Sequence, residues 1–242
     1  MAYIGKTPTP APLTSSDIAA DIINSTHIGD TAISGFDALA TAPADTDEFL
    51  ISDAGVLKRL DASLVGGGAL VKLAETNITS GVSSVSFDGY FTSDYDIYKV
   101  FYQNLRPVAS GNTTVAIRFR RSNSDVTSSS YYGAVQQAYN GGSNHNGDFG
   151  EAYINIVKDS SVKGNSDYGI SGEFTIYNPL QTTRYHTMSG FGTYLYNTSR
   201  WYTHQYGGVL KDNTTALSGF TFFNVVGENF DDGNVYLYGL KK

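Results

Sequence analysis

Four histidines, His27, His145, His186 and His204, are the first residues to weigh for chemistry in a 242-residue chain that has no cysteine. No two of them stand at H-x-x-H or H-E-x-x-H spacing, so the sequence offers no zinc site of either sulfur or imidazole type. His186 and His204 meet only if their strands pair, and both read as ordinary surface or intersheet residues. Carboxylates gather at Asp94 and Asp96, at Asp148 and Glu151, and at Glu228, Asp231 and Asp232. Glycoside hydrolysis needs two carboxyl groups held roughly 5 to 10 Å apart, and these acids read instead as turn caps. The Glu228 to Asp232 segment has oxygen ligands for calcium but lacks the spacing of an EF-hand loop. Gly169-Ile170-Ser171-Gly172 is not a nucleophile elbow, which requires G-x-S-x-G. The expectation is a protein with no catalytic residues, no metal ligands and no cofactor.

The aromatic load is the stronger signal. Eighteen tyrosines stand beside thirteen phenylalanines and one tryptophan. Tyr131, Tyr132, Tyr139, Tyr194, Tyr196, Trp201, Tyr202 and Tyr206 concentrate in the middle and late parts of the chain. Such rings pack in cores and subunit interfaces, and their faces also stack on sugars. The polar stretch Asn140 to Phe149 (NGGSNHNGDF) is expected to be an exposed loop at the distal tip. Its candidate contact residues are Tyr139, Asn140, Asn144, His145, Asn146 and Phe149. A net charge of −7 argues against nucleic-acid binding, which needs clustered cations. The tight basic group Arg118, Arg120 and Arg121 reads as a solvated or intersubunit patch. No apolar run approaches the ~18 residues of a spanning helix, and MAYIGKTPTP lacks the pattern of a secretory signal.

These residues must be positioned by strands. From Ala69 onward the chain alternates with period two and shows no helical periodicity. Strands are expected over 70–76, 82–87, 96–104, 113–120, 131–139, 151–157, 168–177, 185–196, 201–210, 219–225 and 234–240. Val115, Ile117 and Phe119 face inward against Arg118 and Arg120. Likewise Ile170, Gly172, Phe174 and Ile176 oppose Glu173 and Thr175. Asp88-Gly89, Ser110-Gly111-Asn112, Asn140-Gly141-Gly142, Lys163-Gly164-Asn165 and Asp232-Gly233-Asn234 supply turns. The fold class is all-β: residues 69–242 form an antiparallel β-sandwich head, jelly-roll-like.

The earlier residues are of a different kind. Residues 1–45 read as an extended anchor and short shaft. Pro8, Pro10 and Pro12 fix an extended backbone that needs a partner surface to be ordered. Ser15 or Ser16 caps a short helix over Asp17 to Asn24 that is marginal alone. Ile18, Ile22, Ile28 and Ile33 recur among small polar residues, too sparsely for a core in one chain. Residues 46–68 hold a β-hairpin and a glycine linker. In it Phe49, Leu50, Ile51, Val56 and Leu57 flank a three-residue connection, Asp53-Ala54-Gly55. An isolated hairpin is marginal in water. Three copies bring Ile18, Ile22, Ile28, Ile33, Phe49, Leu50 and Leu57 onto one shared shaft, so the expectation is a homotrimer.

The opener YIGKTPTPAPLTSSDIAADII and the hairpin FLISDAGVLKRLDASLV resemble segments of bacteriophage virion fibre proteins of the marine and cyanobacterial type. The resemblance covers about the first 65 residues; the head resembles the family only in style. It implies a structural virion component whose leader docks on other particle proteins through Tyr3, Ile4, Pro8, Pro10, Pro12 and Leu13. It also implies a head that projects toward the host surface and its glycans, with no nucleic-acid or membrane partner. Longer relatives carry many Ile/Ala-rich repeats after the opener, whereas this shaft has one or two units. The reading is a short tail fibre or spike, with a capsid-surface fibre or decoration protein as the alternative. A depolymerising spike enzyme and the sugar-binding module of a secreted enzyme are the readings from other classes. The first lacks a catalytic constellation here, and the second lacks a signal peptide.

Overall fold

The segment Val115-Ala-Ile-Arg-Phe-Arg-Arg121 sets the pattern for much of the chain. Its β-branched and aromatic residues favour an extended backbone, and period two divides them between faces. In the computed structural model Val115, Ile117 and Phe119 are fully buried, while Arg118 and Arg120 are partly exposed, as expected. The structure describes residues 43–44, 46–65, 69–108, 113–157, 162, 169–197 and 199–242, without the side chains of Leu57 and Asn197. The expectations for Tyr3, Ile4, Pro8, Pro10, Pro12, Leu13, Ile18, Ile22, Ile28 and Ile33, and for the helix over Asp17 to Asn24, lie outside the described residues. So do the turns at Ser110-Gly111-Asn112 and Lys163-Gly164-Asn165.

The chain divides into two compact units, Met1–Gly66 and Gly67–Lys242. In the first, β1 (Glu48–Asp53) and β2 (Val56–Asp61) pair as an antiparallel hairpin, followed by a 3-10 turn at Ala62–Leu64. The connection has two residues rather than the expected three, because Asp53 pairs directly with Val56. Ala54 (φ 50°) and Gly55 (φ 82°) are both left-handed. Two such residues give the turn whose twist matches that of the flanking strands. Leu50 is 75% exposed and Val56 58%.

The second unit is an all-β sandwich. Its strands are β3 (Leu70–Ile78), β4 (Ser84–Asp88), β5 (Tyr95–Pro107), β6 (Val115–Arg121), β7 (Ser124–Asp125), β8 (Tyr131–Tyr139) and β9 (Gly142–Glu151). They continue as β10 (Ile154–Asn155), β11 (Ile170–Tyr177), β12 (His186–Asn197), β13 (Arg200–Leu210), β14 (Gly219–Asn224) and β15 (Phe230–Lys241). The small sheet runs β10-β6-β14-β4, with β7 beside β6, and the large sheet runs β3-β15-β5-β11-β12-β13-β8-β9. Set aside β7, β8, β9, β12 and β13, and number the other eight strands of this unit in chain order. The large sheet then reads 1-8-3-6 and the small one 2-7-4-5, every pairing antiparallel. That order is the double Greek key of a jelly roll. The hairpins β8–β9 and β12–β13 are insertions that widen the large sheet beyond β11 from four strands to eight.

Rings lock the two sheets together. Phe174 of the large sheet meets Phe220 and Phe222 of the small one at 5.4 and 5.5 Å, edge to face, and Tyr102 meets Phe222 at 5.5 Å. Such geometries add about 0.5–1.5 kcal/mol each beyond area burial. Where the inserted hairpins extend the large sheet, its inner face is carpeted by tyrosine. Tyr194 stacks on Tyr202 at 5.0 Å and 3°, and Tyr102 and Tyr206 share a hydrogen bond of 3.1 Å. Tyr102 and Tyr206 lie close over the sheet because glycine stands beneath them. A Cβ at Gly172 would come within 2.4 Å of the Tyr102 hydroxyl, and one at Gly190 within 2.7 Å of the Tyr206 ring.

Three further expectations change. Asp232-Gly233-Asn234 is not a turn but an irregularity inside β15, where Gly233 (φ 126°) lets the backbone pass Leu105. The strand expected over 151–157 shrinks to the two residues of β10. The basic cluster is no solvated patch. Arg120 pairs with Asp88 and Asp125, and Arg121 grips Asp212 through both terminal nitrogens at 2.5 and 3.1 Å. The Arg118 guanidinium lies 4.0 Å over the Phe223 ring. Burial opposes ionisation of Asp212, but its hydrogen bonds to Arg121 outweigh this and hold the carboxyl below its usual range.

Candidate functional site

The outer face of the widened sheet is where chemistry gathers, and strand register builds it. Across β11, β12, β13, β8 and β9, residues in register form rows perpendicular to the strands, and successive rows lie about 6.7 Å apart along them. One row reads Glu173, Phe191, Gln205, Gln136 and His145. The rows on either side are small: Thr175, Ser189, Gly207, Ala134 and Gly147 on one side, Ser171, Thr193, Thr203, Ala138 and Ser143 on the other. The large row is therefore a ridge and each small row the floor of a groove.

The first groove, about 870 Å³, runs over Thr175, Ser189 and Gly207 toward Tyr177. Glu173 on its wall is ion-paired with Lys99 of β5, and the Tyr177 and Ser189 hydroxyls are hydrogen-bonded to each other at 2.9 Å. The second groove, about 620 Å³, runs over Ser171, Thr193 and Thr203, with Phe191, Gln136 and Gln205 along its wall. Its far rim is Leu195 and Trp201, a cross-strand pair one row further on. Phe191 is 55% exposed and Trp201 50%. Both volumes fall in the range of small-ligand sites, though these are open to solvent.

The sequence-expected contact stretch Asn140 to Phe149 is not a loop. Only Asn140 and Gly141 turn, and Gly142 onward is β9, the edge strand of the large sheet. Glycine and asparagine hide a strand from propensity reasoning, and pairing with β8 overrides them. The alternation splits the proposed residues between faces. His145 faces the grooves across from Gln136, and Phe149, 82% exposed, meets Tyr132 edge-on at 6.2 Å. Asn144 and Asn146 are half-buried on the opposite face, beside Gln137 and Val135. Asn140 donates its amide to the Ser199 carbonyl at 2.8 Å. Tyr139 is half-buried against Tyr202, and the Arg200 guanidinium covers it at 5.1 Å. Phe191, Gln136, Gln205 and Thr203 are the residues that sequence reasoning missed. Trp201 was singled out only as one of a group of rings. The alternation of β12 and β13 put these side chains on a solvent face, but only the register aligns them.

Other candidate chemistry is resolved within the fold. His186 and His204 lie on paired strands yet opposite Leu210 and Gly192, so they do not meet. Both are buried. His186 shares a hydrogen bond with the Gln181 carbonyl at 3.2 Å, and burial followed by the nearby Arg121 charge lowers its pKa. His204 stacks on Tyr206 at 5.4 Å and meets Tyr194 edge-on at 5.5 Å, and neither ring nitrogen has a partner among the described residues. Burial alone pushes its pKa down to about 4. Asp148 is buried and accepts a hydrogen bond from Asn155 at 2.8 Å. Asp231 and Asp232 flank Arg106 at 3.3 and 3.9 Å. Among the described residues no three His, Asp or Glu side chains converge to hold a metal ion. No helix among them is long and apolar enough to cross a membrane.

No protein-family model matches the chain, and no curated protein or solved structure is significantly similar to it.

Proposed function

We propose that this chain is a structural, non-catalytic component of a bacteriophage particle, a short fibre whose head attaches to host-surface glycan. The observation that carries the reading is the outer face of the widened sheet, where exposed rings and side-chain amides border two open grooves. Aromatic faces with amide and hydroxyl donors are what a polyhydroxylated ring requires: apolar C–H faces stack, and hydroxyl groups need both donors and acceptors. Glu173 is the carboxylate on the first groove's lining among the described residues, and it is spent on Lys99. That favours binding over glycoside hydrolysis, which needs two carboxyl groups across the scissile bond.

The particle enters through the leader. Its opener and hairpin resemble virion fibre proteins, and the hairpin's exposed Leu50 and Val56 call for cover from further copies, which supports a homotrimer. In this reading Tyr3, Ile4, Pro8, Pro10, Pro12 and Leu13 dock on tail or capsid proteins. The head then projects from the released virion.

Two measurements test it. Antibody raised against residues 69–242 should decorate intact released particles in electron micrographs, at the tip of a short projection. Purified full-length protein should adsorb to host cells and compete with the phage for them. Particles that carry none of the protein would overturn the reading.

A further inference from the structure

We propose that the second groove, between Phe191 and Trp201, binds an uncharged oligosaccharide chain. This rests on the glycan-attachment reading above and narrows it to one site and one chemical class.

The lining decides the class. His204 is the one lining residue with an ionisable side chain, and its ring is buried against Tyr194 and Tyr206 rather than offered to the groove; Phe191, Gln205, Gln136, Thr203, Thr193 and Ser171 carry no ionisable group. The nearest acid on the ridge, Glu173, is already ion-paired with Lys99. Arg200, next to Trp201 in the chain, lies instead over the rings of Tyr139 and Tyr196 at 5.1 and 5.9 Å. An acidic polysaccharide would leave its carboxylates or sulfates here without the cationic fork that such groups need.

The hydrogen-bonding groups fit an alcohol-rich ligand. The Ser171 hydroxyl accepts from the Asn104 backbone N–H at 2.9 Å, and Thr193 donates to the Tyr202 carbonyl at 2.9 Å, so these two hydroxyls are held in place. Gln136, Gln205 and Thr203 make no side-chain hydrogen bond to another described residue and are exposed. Two amides supply donors and acceptors together, which suits a hydroxyl that is itself both. The backbone beneath is fully engaged in the sheet ladder, so nothing here can zip to an extended peptide, which would seek a strand edge instead.

Size favours a chain over a single sugar. From Ser171 on β11 to Ala138 on β8 the floor crosses four strands, about 14 Å at the usual interstrand spacing. The rings on the two rims stand two rows apart along the strands, so a sugar chain laid on the floor is bracketed on both sides.

Trp201 is the only tryptophan of the chain, so its emission reports directly on the groove. Full-length protein should be titrated with neutral chains (cello-, xylo-, manno- and chito-oligosaccharides) and with acidic ones (oligogalacturonate and alginate oligomers). The expected result is a saturable change in Trp201 emission with at least one neutral chain and none with the acidic ones. Phe191→Ala and Gln205→Ala should each weaken that binding at least tenfold, with melting temperature within about 2 °C of the parent. Phe149→Ala, outside the groove, should leave binding unchanged. Saturable binding of acidic chains alone would overturn the proposal while leaving glycan attachment standing. So would neutral-chain binding that survives both groove substitutions. Binding of no saccharide at all, with host-cell adsorption retained, would remove the glycan reading together with the proposal.

Discussion

Replacing His204 by phenylalanine should stabilise the head more in acid than at neutral pH. The imidazole is 2% exposed, packed between Tyr206 and Tyr194, with no partner for either nitrogen among the described residues. Burial holds its pKa down to about 4, against 6.5 in the unfolded chain. The depressed value means the folded state keeps this ring neutral after the unfolded chain has begun to bind its proton. Stability attributable to His204 is therefore intact above about pH 6.5 and drains away as pH falls from there toward about 4. Below that the folded state protonates too and the loss stops growing. The full loss is roughly 3 kcal/mol, and about 2 kcal/mol of it has gone by pH 5. For a domain of this size that is a fall in melting temperature of about 4–8 °C between pH 8 and pH 5. Phenylalanine keeps the ring and its stacking but cannot be protonated. Thermal unfolding followed by circular dichroism should give a His204→Phe profile flatter than the parent's between pH 8 and 5, on top of a pH-independent offset from losing two unpaired ring nitrogens. The Asp212–Arg121 pair loses its contribution only at lower pH, below the usual carboxylate value, so it does not mimic this effect. His186 contributes in the same direction and remains in both proteins. Parallel profiles for parent and variant would refute the assignment of the acid sensitivity to His204.

Gly190→Ala should destabilise the head by about 1–3 kcal/mol in urea unfolding, because its Cβ would lie 2.4 Å from the Glu173 carbonyl and 2.7 Å from the Tyr206 ring. Arg120→Ala should cost about 2–4 kcal/mol, since it takes from the partly buried Asp88 its cationic partner and leaves Asp125 only the more distant Arg118. Lys58→Ala, whose partner Asp53 is as exposed as itself, should cost less than about 1 kcal/mol by the same measurement. Removal of residues 1–65 should leave a head that unfolds cooperatively, because β3 to β15 close one core of their own. In the fibre reading that truncated head should fail to join particles, which quantitative blotting of purified virions would check.

Much of the fold was legible in the residues themselves. Alternation along Val115 to Arg121 and Ile170 to Tyr177 assigned both the strands and their buried faces, because a side-chain period of two is local geometry. The all-β class followed from the absence of any helical period after Ala69. What the residues could not specify was everything that depends on which strand lies beside which. Strand β9 carries no β-branched residue, and it is a strand only because β8 offers it a partner. The basic run at Arg118 to Arg121 looked like surface charge until pairing set Asp88 of β4, Asp125 of the neighbouring β7 and Asp212 beside it. The candidate site is the clearest case. Ser171, Thr193, Thr203 and Ala138 come from four strands, and a shift of one residue in any pairing would turn that strand's contribution to the other face. Sequence set the alphabet of rings, amides and small hydroxyl residues; only the register of the inserted hairpins arranged it into grooves.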